Sequence, residues 1–159
     1  PLEPSLIVCP ASLVYNWQEE FARFGKDLTV QVVTGTAAKR KKLLSDDGTP
    51  DVYITSYDLL RKDFPLYADM RFHVMILDEA QYIKNQKAGI TKSVKGITAA
   101  HRLALTGTPI ENSLTELWSI FDFLMPGYLG SHAKFRERYE VPIIREEDAH
   151  ALTDLKRHL

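Results

Sequence analysis

The chain has 159 residues, 45% of them hydrophobic, with 20 Lys and Arg set against 21 Asp and Glu. That is one domain's length, enough to bury roughly two-thirds of the unfolded surface. The near-balanced charge gives no global preference for nucleic acid, acidic ligands or membranes, so any polyanion site must come from local arrangement. No apolar run approaches the ~18 residues of a membrane-spanning helix, no charged-then-apolar leader opens the chain, and a lone Cys9 excludes an internal disulfide. These features give the expectation of an intracellular protein in a reducing compartment, without membrane contact: cytoplasmic or nucleoid-associated in a bacterium, nuclear in a eukaryote. The start at Pro1 without a Met, with an apolar run beginning at Leu6, reads as a piece of a larger polypeptide.

In chain order, Leu6 to Cys9 is the first strand candidate, and Cys9 reads as a small buried hydrophobe. Ser12 then stands where an N-cap belongs, and Leu13, Trp17, Phe21 and Phe24 recur at helical spacing up to Gly25, a face expected to lie in the core. A strand over Val30 to Thr34 follows. The run Lys39-Arg40-Lys41-Lys42 reads as the solvated stretch of a helix with Leu43-Leu44 turned inward, in preference to a nucleic-acid contact. Further strands are expected at Val52 to Thr55, Phe72 to Leu77 and Arg102 to Leu105. Leu114, Leu117, Trp118, Phe121 and Leu124 share one side of a helix that ends before Pro126-Gly127. Trp17 and Trp118 sit on core-like stripes, a use favoured over stacking on bases. From His132 the sequence turns charged and helical, which divides the chain into residues 1–130 and a helical extension over 131–159. Short apolar runs alternating with helical segments predict an α/β fold with a mostly parallel sheet flanked by helices. The five histidines lack metal-ligand spacing, and no repeat is present.

Two strand ends carry chemistry. The apolar run Val74-Met75-Ile76-Leu77 delivers Asp78-Glu79-Ala80-Gln81, as a buried parallel strand delivers carboxylates to the ligand edge of a sheet. An Asp-Glu pair alone reads equally as a structural cap. Leu103-Ala104-Leu105 delivers Thr106-Gly107-Thr108-Pro109, which alone is a Gly-Pro turn with Thr caps. Together they place polar groups that converge on one edge. None of the eight glycines falls in G-x-x-x-x-G-K-[ST], so the loop that cradles nucleotide phosphates is not among these residues, and the chain reads as part of an ATPase.

In order and spacing the segment from Leu6 to about Ile143 resembles the first RecA-like lobe of the Swi/Snf family of helicase-related, DNA-translocating ATPases. Leu6-Ile7-Val8-Cys9-Pro10-Ala11-Ser12-Leu13-Val14 with Asn16-Trp17 looks like motif Ia, Thr55-Ser56-Tyr57 like motif Ib, and Asp78-Glu79-Ala80-Gln81 like motif II. Leu105-Thr106-Gly107-Thr108-Pro109-Ile110-Glu111-Asn112 looks like motif III, and Glu116-Leu117-Trp118-Ser119 and Phe123-Leu124-Met125-Pro126-Gly127 also match.

The resemblance implies ATP and Mg²⁺ as cofactors. Asp78 would hold the metal, usually through water, and Glu79 would orient and polarise the attacking water. Gln81 replaces the family's commoner His; with Thr106 and Thr108 it would face the γ-phosphate, its amide both donating and accepting without a protonation step. Pro10, Ala11, Ser12, Thr55, Ser56 and Tyr57, with Arg102 and Asn112, would contact the backbone of double-stranded DNA, although capping explains Ser12 and Ser56 as well. Lys84 and Asn85 flank the same motifs and either reach phosphate or brace the loops. The implied partners are DNA, a second RecA-like lobe of the same chain that supplies arginine fingers, and DNA-bound proteins or RNA polymerase. The implied activity is DNA-dependent ATP hydrolysis driving translocation and remodelling, absent from the 159 residues alone. The alternative is a non-catalytic RecA-like binding module whose nucleotide site has decayed. A receiver-type phospho-acceptor domain would need an acidic pair after its first strand, and Leu6 to Pro10 has none.

Overall fold

The computed structural model describes residues 3–45, 48–84, 88–107, 114–128, 130–140 and 149–159. Five strands, β1 (Ser5–Cys9), β2 (Val30–Val32), β3 (Val52–Ser56), β4 (Arg71–Leu77) and β5 (Thr98–Ala104), form one sheet in the order β2-β3-β1-β4-β5. Every pairing is parallel, with Ile7 opposite Ile54 and Ile76, and Ile76 opposite Leu103. The α/β expectation therefore holds.

Helices α1 (Val14–Phe24), α2 (Ala37–Ser45), α3 (Tyr57–Tyr67), α4 (Gly89–Lys95) and α5 (Leu114–Leu124) connect or flank the strands, and α6 (His132–Phe135) and α7 (Ala149–His158) follow. Among the described residues no helix is long and apolar enough to cross a membrane.

β1 is central and apolar throughout because both its faces are covered. Leu6 and Val8 join a core with Tyr57, Leu60, Met75, Leu77 and Phe123, while Ile7 and Cys9 join a second with Val14, Val32 and Ile54. Leu13, Trp17 and Phe21 of the α1 segment close the second core. At the end of α4, Gly96 is required by close approach: a Cβ there would stand 2.7 Å from the Phe64 ring on α3. A third cluster of Trp118, Phe135, Tyr139 and Leu155 ties the C-terminal helices to α5.

Several local expectations are corrected. β2 stops at Val32, short of Thr34, and β5 starts at Thr98, before Arg102, because ladder pairing with Arg71 outweighs the weak apolarity of Thr98 to His101. Ser12 does not cap α1: Ala11–Leu13 is a 3₁₀ turn, and the helix starts without a side-chain cap. Phe24, expected in the core, is 77% exposed with the Arg23 guanidinium over its ring.

Arg40 leaves the solvated run altogether. It is 6% exposed, donating from Nε and Nη2 to the two carboxylate oxygens of Asp63 on α3 at 2.6 and 2.9 Å and from Nη1 to the Gly35 carbonyl at 2.7 Å. The guanidinium satisfies a buried carboxylate that a sequence pattern does not reveal.

Candidate functional site

The C-terminal ends of β1, β4 and β5 lie side by side. The Asp78 amide donates to the Val8 carbonyl, the Leu105 amide to Leu77 and the Ala80 amide to Leu105, each at 2.8 Å. The last of these contacts joins the segment after β4 to the segment after β5, so the two motifs meet as expected. Immediately after β4 the chain turns through Glu79 at φ 52°, ψ 54°, the one non-glycine residue with positive φ among those described, and enters a 3₁₀ turn over Ala80–Ile83. A left-handed glutamate is an uncommon and costly conformation, of the kind that persists where neighbours over-determine it.

The side chains form a chain of complementary donors and acceptors. The Thr106 hydroxyl donates to Gln81 Oε1 at 2.9 Å, and Gln81 Nε2 donates to Glu79 Oε2 at 2.5 Å. With one end accepting from a hydroxyl and the other donating to a carboxylate, the amide has a single satisfactory orientation. Asp78 Oδ1 accepts the Glu79 amide at 2.9 Å. Glu79 Oε1 is left for a further partner.

Two contacts at Asp78 were not legible in the sequence. Trp17, half-buried on α1 beside Phe21, donates from its indole Nε1 to Asp78 Oδ2 at 2.9 Å. Tyr57, the first residue of α3 and 2% exposed, donates from its hydroxyl to the Asp78 carbonyl at 2.7 Å and stacks on Tyr82. Burial pushes the Tyr57 phenol above its usual range, reinforced by the nearby Asp78 charge, so it remains a donor through neutral and mildly alkaline pH. Cys9 sits fully buried in the same region; burial and, secondarily, Asp78 push its thiol up to about 12, an inert hydrophobe as expected. The helical spacing that put Trp17 on an apolar stripe was correct, but spacing says nothing of where a ring N–H points.

The residues expected to meet nucleic acid separate. Ala11 and Ser12 are exposed and Pro10 half-exposed at the end of β1. Thr55 is fully buried with its hydroxyl donating to the Val33 carbonyl, and Ser56 is 3% exposed with its hydroxyl capping α3 at the Leu59 amide. With Tyr57 turned to Asp78, the hydroxyls of Thr55 and Ser56 at the end of β3 and of Tyr57 at the start of α3 are all bonded within the fold, and Ser56 caps α3 as the capping alternative has it. Arg102 likewise points into the fold, donating to the carbonyls of Phe123 and Ile97 at 2.7 and 2.8 Å; it braces β5 against α5. Lys84 stands 4.0 Å from Glu116. Thr108, Asn112 and Asn85 lie outside the described residues.

Among the described residues no group of three His, Cys, Asp or Glu side chains is placed to hold a metal. Asp78 and Glu79 offer hard oxygen donors only. That set suits Mg²⁺, which keeps several waters and takes substrate phosphates in place of an all-protein cage.

Comparison with known proteins agrees with this arrangement. The SNF2-related domain matches residues 2–159. The chain is 45% identical over 146 residues to the TATA-binding protein-associated factor mot1 of Schizosaccharomyces pombe, covering 92% of this chain and 8% of that protein. It is 44% identical over 137 residues to an uncharacterized ATP-dependent helicase of Mycoplasma pneumoniae, covering 86% of this chain and 13% of that one. The SWI2/SNF2 ATPase core of Sulfolobus solfataricus, solved in complex with dsDNA, superposes with a TM-score of 0.88 at 38% identity, covering 99% of this chain and 32% of the other. The chain thus spans a small part of the curated relatives it matches. On motif order, sheet topology and these likenesses together, the chain belongs to the SNF2-related family and forms part of the N-terminal RecA-like lobe of its ATPase motor.

Proposed function

We propose that this chain carries the water-activating edge of a motor that hydrolyses ATP to move along double-stranded DNA and remodel protein–DNA complexes. The observation that supports it most is the Thr106–Gln81–Glu79 chain of hydrogen bonds beside Asp78, at the edge where three parallel strands end. Bound Mg²⁺·ATP supplies an electrophilic γ-phosphoryl group whose charge the metal offsets.

Asp78 would hold the metal through water. Each of its carboxylate oxygens already accepts an N–H, from Glu79 or Trp17, which fixes the carboxylate plane and leaves one lone-pair direction per oxygen for a water ligand. Glu79 would orient the attacking water with Oε1 and take its proton, while the Gln81 amide holds Oε2 in place. Thr106 fixes the far end of that amide, so movement of the segment after β5 is felt at the carboxylate.

The phosphate cradle is not among these residues. Among the described residues β5 ends the sheet beside Thr106, and its outer edge is where a further parallel strand would bring a phosphate loop to the acids. A second RecA-like lobe would supply arginine fingers, worth roughly 10³–10⁵ in rate in related systems, so the 159 residues alone are expected to be inactive.

Duplex DNA would be gripped by its phosphates at the exposed Pro10–Ser12 turn and at the backbone amides that open α3, without base readout. The double-stranded DNA held by the similar archaeal core supports that partner, and DNA-bound proteins would be the load.

The test is steady-state ATP turnover by the two-lobe parent. Replacing the Glu79 carboxylate in Glu79→Gln should lower kcat by roughly 10²–10⁴ with nucleotide affinity retained, whereas Asp78→Asn should weaken both. Full activity in Glu79→Gln would remove Glu79 from the reaction.

A further inference from the structure

Asp78 is held from four directions, and two of the four partners come from the segments that would meet DNA. Its amide donates to Val8 and its Oδ1 accepts from the Glu79 amide; its Oδ2 accepts from Trp17 and its carbonyl from Tyr57. Trp17 lies in the first turn of α1, directly after the exposed Pro10–Ser12 turn, and Tyr57 is the first residue of α3, directly after its Ser56 cap. These helices follow β1 and β3, adjacent strands, with β1 also paired to β4, which carries Asp78.

Resting on the functional reading above, we propose that Trp17 and Tyr57 are positioning residues that couple engagement of a duplex backbone at the starts of α1 and α3 to the geometry of the metal-holding carboxylate. Both side chains act on Asp78, the Trp17 indole at its carboxylate and the Tyr57 hydroxyl at its carbonyl. Each is a rigid ring with a single polar hydrogen, so a small displacement of either helix start is carried to Asp78 without being absorbed by side-chain rotation. The Trp17 bond is to a carboxylate and fixes the rotation of the group; the Tyr57 bond fixes the backbone from which that group extends. Tyr57 is further held by its stack on Tyr82, with ring centroids 4.9 Å apart and planes 12° from parallel, next to the Ala80–Gln81 segment that carries the Glu79 contact. Helix start, Asp78 and the Glu79–Gln81 pair are therefore in continuous contact. By reciprocity, whatever duplex binding does to metal–nucleotide affinity, metal–nucleotide does to duplex affinity.

The test uses the full-length parent protein with Trp17→Phe and Tyr57→Phe, each of which keeps an aromatic ring and deletes the donor. The measured quantity is the affinity for Mn²⁺ with a non-hydrolysable ATP analogue, followed by the electron paramagnetic resonance signal of free Mn²⁺, with and without a blunt duplex. In the wild type the duplex should change this affinity. In each variant that response should fall by roughly fivefold or more, as expected for loss of a charge-assisted or buried hydrogen bond, at a temperature where the metal-free variant is still fully folded. A merely structural role would lower the thermal midpoint and leave the duplex response in place.

A second measurement needs no variant to fold. With 5-fluorotryptophan incorporated in the wild-type parent, the Trp17 ¹⁹F resonance should move when duplex is added without metal. An undiminished duplex response in both variants, or a Trp17 resonance indifferent to duplex, overturns the coupling alone. A wild type with no duplex response at all overturns the functional reading, and the coupling with it.

Discussion

At the scale of single residues, the substitution of Gln for the family's commoner His at position 81 keeps the connection between the two strand ends while removing a titrating ring from it. Because the amide accepts from Thr106 and donates to Glu79, Gln81→Leu should lower kcat of the parent by roughly tenfold or more and leave KM for ATP nearly unchanged, as loss of an interaction felt in the transition state does. Gln81→His should restore most of the rate, since an imidazole can bridge the same pair; equal losses in both variants would show that position 81 acts by packing alone.

Cys9 gives a second residue-scale expectation, with a definite sign. Burial raises its thiol from 9.0 to about 12, and Tyr57 rises with it, so the folded protein holds these protons more tightly than the unfolded chain. The stability they contribute is complete below pH 9.0 and is lost as the pH climbs toward about 12. Denaturant melts should show stability falling through that window. Peptide-resolved alkylation of Cys9 at pH 8 should proceed no faster than unfolding; rapid alkylation of the native protein would contradict the burial.

At the scale of elements, α2 and α3 are joined by a bidentate ion pair with side chains 8% and 7% exposed. Removing one partner strands the other charge, so Arg40→Ala or Asp63→Asn should destabilise the fold by about 3–5 kcal/mol, whereas Arg40→Met with Asp63→Leu should come close to neutral. Chemical denaturation of the three variants decides the matter: equal destabilisation by the double variant would mean that the pair contributes more than it costs to desolvate. The same pair shows why Arg40 alone departs from an otherwise solvated run, since Lys39, Lys41 and Lys42 are exposed as expected. A run of four consecutive basic residues has no mark that distinguishes the one turned inward, because its partner Asp63 lies 23 positions away.

At the scale of the whole molecule, the layout was legible and its internal commitments were not. Continuous apolar runs gave the parallel strands because a strand covered on both faces must be apolar at every position, as in Leu6 to Cys9. The weakly apolar Thr98 to His101 escaped notice since pairing with β4, which is non-local, makes them a strand. The acids and Thr106 were found because strand ends in such sheets share an edge. What escaped was direction: that Thr55 turns inward, that Trp17 and Tyr57 turn toward Asp78, and that Arg102 reaches Phe123 depend on contacts between residues 21 or more positions apart. These same inward contacts join the segments that follow β1, β3, β4 and β5 into one unit, where the proposed nucleotide and DNA contacts would meet.

That union is tested most directly by ATP turnover of the two-lobe parent with and without duplex DNA, in the wild type and in Glu79→Gln. The account predicts strong stimulation by duplex that Glu79→Gln abolishes. Turnover indifferent to duplex, or none at all in a folded wild type, would contradict it and leave a lobe that binds without driving.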